Sequence, residues 1–154
     1  ITMTEREPRN VALLFCDLDG FKAVNDTLGH NVGDDLLKVV ATRLQQQIRQ
    51  TDTVARLGGD EFVILLDNPA DRDEVAKVAA RIVAALNVPV DLDGKLAQVG
   101  ASIGVAIYPL DGSTTKQLME SADQAMYAAK TAGKNTYRFF SPSDGLPAAS
   151  APAP

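Results

Sequence analysis

Two short apolar runs flank Leu57-Gly58-Gly59-Asp60-Glu61, and this arrangement constrains the fold more than any other stretch of the chain. Thr53-Val54-Ala55 and Phe62-Val63-Ile64-Leu65-Leu66 read as strands, and adjacent glycines between strands read as a tight hairpin. A plain hairpin needs only the glycines. Here two carboxylates follow them at the tip, with no side chain on either preceding residue. That combination clears backbone for the approach of a large anionic ligand and a cation. The bland reading is a solvated turn, and the six residues alone do not choose between the two.

The remaining elements place this hairpin in a sheet. Val11–Cys16 is a continuous apolar run and reads as a buried strand. Asp17–Gly29, rich in Asp, Asn and Gly, reads as a loop with a helical turn around Phe21–Val24. Val32, Leu36, Val40, Leu44 and Ile48 recur every four residues, which predicts an amphipathic helix over Val32–Arg49. Asp71 is placed to N-cap the next helix, with Glu74 three residues on. Val88–Leu92 and Lys95–Tyr108 are strand-like and meet at Asp93-Gly94, a hairpin signal. A helix is expected from about Thr115 to Ala132, ended by Gly133. Thr136–Phe140 reads as a last strand, and 141–154 as a Pro/Ala/Ser-rich linker or tail. The order β-α-β-β-α-β-β-α-β predicts an α+β fold, with a mixed, largely antiparallel sheet flanked by helices.

Composition bounds the partners. The 154 residues suit one domain with a single core. A net charge of -5 supplies no basic face for broad nucleic-acid or membrane-surface binding. Cys16, the one cysteine, reads as a buried small hydrophobe. No apolar stretch approaches a membrane span, and the expected location is cytoplasmic.

Asp17-Leu18-Asp19-Gly20 follows directly on the buried strand. Carboxylates at the end of a core strand are rigidly held, which suits divalent-metal binding. The same four residues could open a phosphatase of the haloacid dehalogenase type, but the following residue and the later acidic spacing do not fit. Gly100-Ala101-Ser102-Ile103-Gly104 matches a nucleophile elbow in letters only, because the run continues as strand where an elbow needs a helix. No phosphate-cradling glycine loop of the common kinds is present. Lys22, Lys130 and Lys134 are candidate phosphate contacts, with solvated surface lysines as the alternative.

Together these segments resemble the GGDEF diguanylate cyclases. The resemblance rests on Phe15–Asp26 (FCDLDGFKAVND), Gly29–Leu37 (GHNVGDDLL), Arg56–Phe62 (RLGGDEF), Ser102–Ala106 (SIGVA) and Ala122–Lys130 (ADQAMYAAK) with Gly133-Lys134-Asn135. It covers about Val11 to Phe140. It implies a fold similar to the nucleotidyl cyclase and polymerase palm. It also implies condensation of two GTP into cyclic di-GMP plus two pyrophosphates, with a homodimer needed for catalysis.

By that resemblance Asp17, the Leu18 carbonyl, Asp60 and Glu61 would hold two Mg²⁺ or Mn²⁺ ions, with Asp60, or else Glu61, as proton acceptor. Asn25 and Asp34 would read guanine, with His30 near the base or ribose. Gly58 and Gly59 would leave room for the triphosphate, and Lys22, Lys130 and Lys134 would contact phosphates. Position 134 is often Arg in the family, and Lys keeps the charge without the bidentate geometry. Arg49-Gln50-Thr51-Asp52 matches the family's RxxD inhibitory product site, and Arg81 could add a contact.

The family usually opens with a helical segment carrying DxLTxLxNR. Ile1–Asn10 holds nothing like it, so 1–10 reads as a remnant and 11–140 as the GGDEF domain. Tyr137–Pro142 resembles a junction leading to a cyclic-di-GMP phosphodiesterase (EAL) domain; fused EAL or sensor domains are therefore possible partners. The alternative to an enzyme is a non-catalytic module that binds GTP or cyclic di-GMP and regulates a larger protein.

Overall fold

The computed structural model describes residues 9–142. The readings of 1–8 as a remnant and of 143–154 as a tail lie outside the described residues. The elements run β1 (Val11–Asp19), α1 (Phe21–Leu28), α2 (His30–Gln46), β2 (Thr53–Gly58), β3 (Glu61–Asp67), α3 (Arg72–Leu86), β4 (Val90–Leu92), β5 (Lys95–Ala97), β6 (Gly100–Tyr108), α4 (Thr115–Thr131) and β7 (Thr136–Phe139). Five strands form one sheet in the order β2-β3-β1-β6-β7, and β4-β5 is a separate two-stranded hairpin. Only β6 and β7 pair in parallel; the other described pairs are antiparallel. The expected α+β architecture is the observed one.

β1 lies at the centre because it is apolar on both faces. Ala12, Leu14, Cys16 and Leu18 point into the larger core, with Leu36, Val40 and Leu44 of α2 and Val75, Ala79 and Ile82 of α3. Leu13 and Phe15 point the other way, against Leu118, Ala122 and Met126 of α4. Burial on alternate faces is what a two-residue repeat inside a three-layer domain produces. Cys16 is fully buried, paired across strands with Phe62 and Ile103.

α4 sits close to the sheet because position 104 has no side chain. A Cβ on Gly104 would stand 1.9 Å from the Ala122 carbonyl oxygen and 2.2 Å from the Met126 nitrogen. The glycine that completes the elbow-like motif is therefore a packing residue. Asp71 caps α3 as its sequence predicts: its Oδ1 accepts from the Glu74 amide at 2.8 Å. Such a cap contributes about 1 kcal/mol.

Three local expectations are corrected. The stretch after Cys16 is not a loop: β1 continues to Asp19, and Phe21–Leu28 is a helix that buries Phe21 and Val24. A helix this rich in polar residues is stabilised by two anchors against α2, not by propensity. The second helix stops at Gln46, short of Arg49, where the Gln47 amide bonds back to Leu44 and tightens the last turn. Lys95–Tyr108 is not one strand, because β5 pairs only with β4 and the chain breaks at Gln98-Val99 before β6 joins the main sheet.

Candidate active site

Strand register builds the acidic centre. Asp17 stands opposite Glu61 of β3 on one side and opposite Ser102 of β6 on the other. Residues directly opposite share a face, so Glu61, Asp17 and Ser102 form a row across three strands on the α4 side of the sheet. The hairpin tip is tied to β1 by a bond from the Leu18 amide to the Asp60 carbonyl at 3.1 Å. Asp60 therefore rides on a fixed backbone beside Leu18.

Gly58 and Gly59 have φ of 141° and 52°, and a Cβ at either would meet nothing within 4 Å. Their need is conformational, and the space around them is open. The register shifts between Arg56 and Gly58, and Arg56 Nε donates to the Gly59 carbonyl at 3.0 Å, holding the tip in shape. The sequence reading did not use Arg56 as a support.

These carboxylates repel one another. Burial pushes the Asp17 carboxyl above its ordinary range, and the Asp60 charge adds to the rise. Burial also raises Glu61, followed by the charges of Asp17, Asp60 and Asp123. Only Lys130 opposes both shifts. It reaches from the last turn of α4 to Asp17 at 3.3 Å and to Asp19 at 2.9 Å. Burial lowers the pKa of Lys130, but the hydrogen bond to Asp19 and the Asp17 charge outweigh it, and the net shift is upward.

Among the described residues no three carboxylate, thiol or imidazole groups converge into an ion cage. The donor set still fits magnesium. That ion prefers oxygen, takes one or two protein carboxylates, and fills its other positions with water and substrate phosphate. Asp17 and Asp60, mutually repelled and short of positive charge, are the residues that would hold it.

The predicted guanine readers lie on α1 and α2. Asn25 packs its side chain over Gly33, filling the space a Cβ there would take; its Oδ1 lies 1.7 Å from that Cβ position. Asp34 follows Gly33 and is exposed, as are His30 at the start of α2 and Lys22 on α1. Gly33 thus brings an amide beside an exposed carboxylate.

At the other end of β2, Arg49, Asp52 and Arg81 line one depression of about 110 Å³ between α3 and the segment that follows α2. The Asp52 side chain is 3% exposed. Its carboxylate accepts from the Arg49 amide at 2.9 Å and the Asp67 amide at 2.8 Å. Arg49 Nη2 donates to the Asp67 carbonyl at 2.7 Å, and Arg81 Nη2 to the Gln47 carbonyl at 2.7 Å. The three predicted residues are together, with Glu74 and Lys77 beside them. Six strand residues, about 20 Å at 3.3 Å each, separate this corner from the hairpin tip.

The sequence reading missed Asp19 as a working residue. It accepts from Ser102 Oγ, Lys130 Nζ and the Asn135 amide. Its donors lie 83 to 116 residues away, so no local signal could have found it.

A mixed, mostly antiparallel five-stranded sheet flanked by helices, with paired acids at a Gly-Gly hairpin, defines a palm-like domain of the nucleotidyl-cyclase type, and comparison with known proteins narrows it. The family model "Diguanylate cyclase, GGDEF domain" matches residues 1–136. The chain belongs to the GGDEF family. It is 50% identical over 137 residues to the bifunctional diguanylate cyclase/cyclic di-GMP phosphodiesterase MucR of Pseudomonas aeruginosa, covering 88% of this chain and 20% of that protein. It is 42% identical to the diguanylate cyclase TpbB of Pseudomonas aeruginosa, over 83% of this chain and 30% of TpbB. The chain thus spans a fifth to under a third of these two relatives.

Its structure resembles the GGDEF domain of TpbB with a TM-score of 0.85 at 40% identity, covering 88% of this chain and 80% of that one. An EAL/GGDEF domain protein from M. capsulatus gives 0.83 at 48% identity, covering 90% and 89%. The GGDEF domain of DgcB from Caulobacter crescentus, solved with c-di-GMP, gives 0.77 at 28% identity over 84% of this chain and 77% of that one.

Proposed function

We propose that this domain condenses two GTP molecules into cyclic di-GMP, each of two facing chains holding one GTP. The observation that carries the reading is the row of under-compensated carboxylates, Asp17 and Glu61 in register with Asp60 at the adjoining hairpin tip. Each 3′-hydroxyl oxygen attacks the α-phosphorus of the other GTP, the bond to pyrophosphate breaks, and the hydroxyl proton passes to Asp60. Such transfer needs positioning and charge neutralisation more than covalent help from the protein. Asp17, the Leu18 carbonyl and Asp60 would hold the Mg²⁺ or Mn²⁺ ions, with Glu61 in support. When bound, the ions supply charge neutralisation and activation of the attacking oxygen.

The Asp34 carboxylate accepts from N1 and N2 of guanine with the Asn25 amide beside it, and adenine is rejected because it leaves those groups unpaired. Lys22, Lys130 and Lys134 meet the phosphates, and His30 borders the base or ribose. Arg49, Asp52 and Arg81 bind product and inhibit turnover from a distance. Arg49 is half-exposed and keeps donors for a phosphate or base edge. Asp52 acts chiefly by holding Arg49, since its own oxygens are committed to backbone amides. Among the described residues no helix is long and apolar enough to cross a membrane. The supply of GTP supports a cytoplasmic reaction. EAL or sensor domains fused in the parent protein would set when the pair of chains forms.

Incubation of the parent protein with GTP and Mg²⁺, with separation of the nucleotides by chromatography, tests the reading. Cyclic di-GMP and pyrophosphate are expected from the native protein and not from Asp60→Ala. Binding of cyclic di-GMP without any synthesis would favour the regulatory-module alternative instead.

A further inference from the structure

Asp19 lies two residues beyond Asp17, on the same face of β1, yet it is used differently. Its side chain is only 9% exposed. Ser102, fully buried, donates one hydroxyl shared between both carboxylate oxygens, at 2.9 and 2.8 Å. Lys130 Nζ meets Oδ1 at 2.9 Å, and the Asn135 amide meets Oδ2 at 2.9 Å. These donors come from β6, from the last turn of α4 and from the loop after it. A carboxylate so enclosed offers little room for an ion.

The loop after α4 needs such an anchor. Gly133, Lys134 and Asn135 have φ of 121°, 65° and 50°, and the last two carry side chains in the left-handed region. Several bonds hold this backbone. The Lys134 amide donates to the Ala129 carbonyl at 3.1 Å. Asn135 Oδ1 accepts from the Ala101 amide at 3.2 Å, and a Cβ on Gly100 would stand 3.0 Å from that same oxygen. Asp19 is the link from this loop to β1, next to the acidic centre.

We propose that Asp19 is a positioning residue for the phosphate end of the site. It clamps the last turn of α4 and the following loop onto β1 and β6, so that Lys130 and Lys134 stand ready before nucleotide arrives. The proposal rests on the GTP reading above. Ordering the Lys130 side chain and the Lys134 backbone at folding removes that part of the cost from binding. The clamp acts on the lysines and leaves the base-reading residues on α1 and α2 alone.

The experiment compares a non-hydrolysable GTP analogue with GMP, each with Mg²⁺, by calorimetry on the native chain, Asp19→Asn and Ser102→Ala. Asp19→Asn turns one acceptor oxygen into a donor facing a donor, and so opens the clamp while keeping the shape. The dissociation constant of the analogue should rise about tenfold, as expected when a charge-assisted contact is misplaced, while that of GMP stays within about twofold. Ser102→Ala should shift the analogue in the same direction by less, and it keeps the test alive if Asp19→Asn does not fold. Equal losses for both nucleotides, or unchanged analogue binding in a folded Asp19→Asn, would overturn the clamp alone. A native chain that binds neither nucleotide would sink the GTP reading together with it.

Discussion

At one end of β2, Asp52 is nearly buried, and its two oxygens accept from the Arg49 and Asp67 amides, with the Arg49 guanidinium alongside. At the other end, Asp17, Asp60 and Glu61 crowd together with one lysine between them, and burial and mutual charge push Asp17 and Glu61 upward. Both are acidic clusters at strand ends, but one is internally satisfied and the other is not. A satisfied carboxylate organises its own backbone. A cluster left with excess negative charge stores a demand for cations, which a metal-bound polyanion meets. On the proposed reading, the contrast is how a domain of net charge -5 would take a triphosphate.

The contrast can be broken by mutation, beginning with the largest effect. Asp17→Asn should lower turnover of GTP at least about 100-fold by removing an oxygen ligand, measured as initial rate of pyrophosphate release. The same variant should unfold at a higher temperature than the native chain by roughly 2–4 °C, because a disfavoured charge is gone; a lower temperature would refute the idea of stored repulsion. Asp52→Ala should do the opposite. Two backbone amides, of Arg49 and Asp67, lose the nearly buried carboxylate that accepts from them, and stability in urea should fall by about 1 kcal/mol. Arg49→Ala should raise the product inhibition constant about tenfold with little change in initial rate; an unchanged constant would remove the corner from regulation.

The smallest effect is in pH dependence. The folded-state pKa values of Asp17 and Glu61 lie above their ordinary 3.8 and 4.5. Through that window the folded chain holds more protons than the unfolded one, so stability falls as pH rises. Without metal, the melting temperature should drop by a degree or two from the mildly acidic range to pH 7, a drop of about 0.5 kcal/mol, and Mg²⁺ should restore more of it at pH 7 than at pH 5. A flat profile would mean that Lys130 already neutralises the cluster.

Sequence legibility tracked the range of the interactions. The Asp71 cap and the Gly-Gly hairpin depend on neighbours within a few residues, and each stands where the chain predicts. α1 was hidden because only Phe21 and Val24 of its eight residues are buried, too few for a periodic signal against so many Asp and Asn. Ile48 kept the four-residue rhythm of α2 going past its end, since periodicity does not register a tightened last turn. The clamp around Asp19 was illegible for a different reason. Its partners converge only after β6 and α4 have folded onto β1, and nothing local to Ser102 marks it as a donor to Asp19. The positions of Gly104 and Gly33 likewise acquire meaning only from the atoms that press on them.

Cys16, the only cysteine, lies wholly inside the core, and burial drives its thiol far above the ordinary range. The native chain is therefore chemically silent toward thiol reagents while folded. A cysteine introduced at Leu57, 49% exposed beside the hairpin tip, would be the sole reactive handle. A spin label or crosslinker placed there would turn the meeting of two hairpins into a directly readable distance.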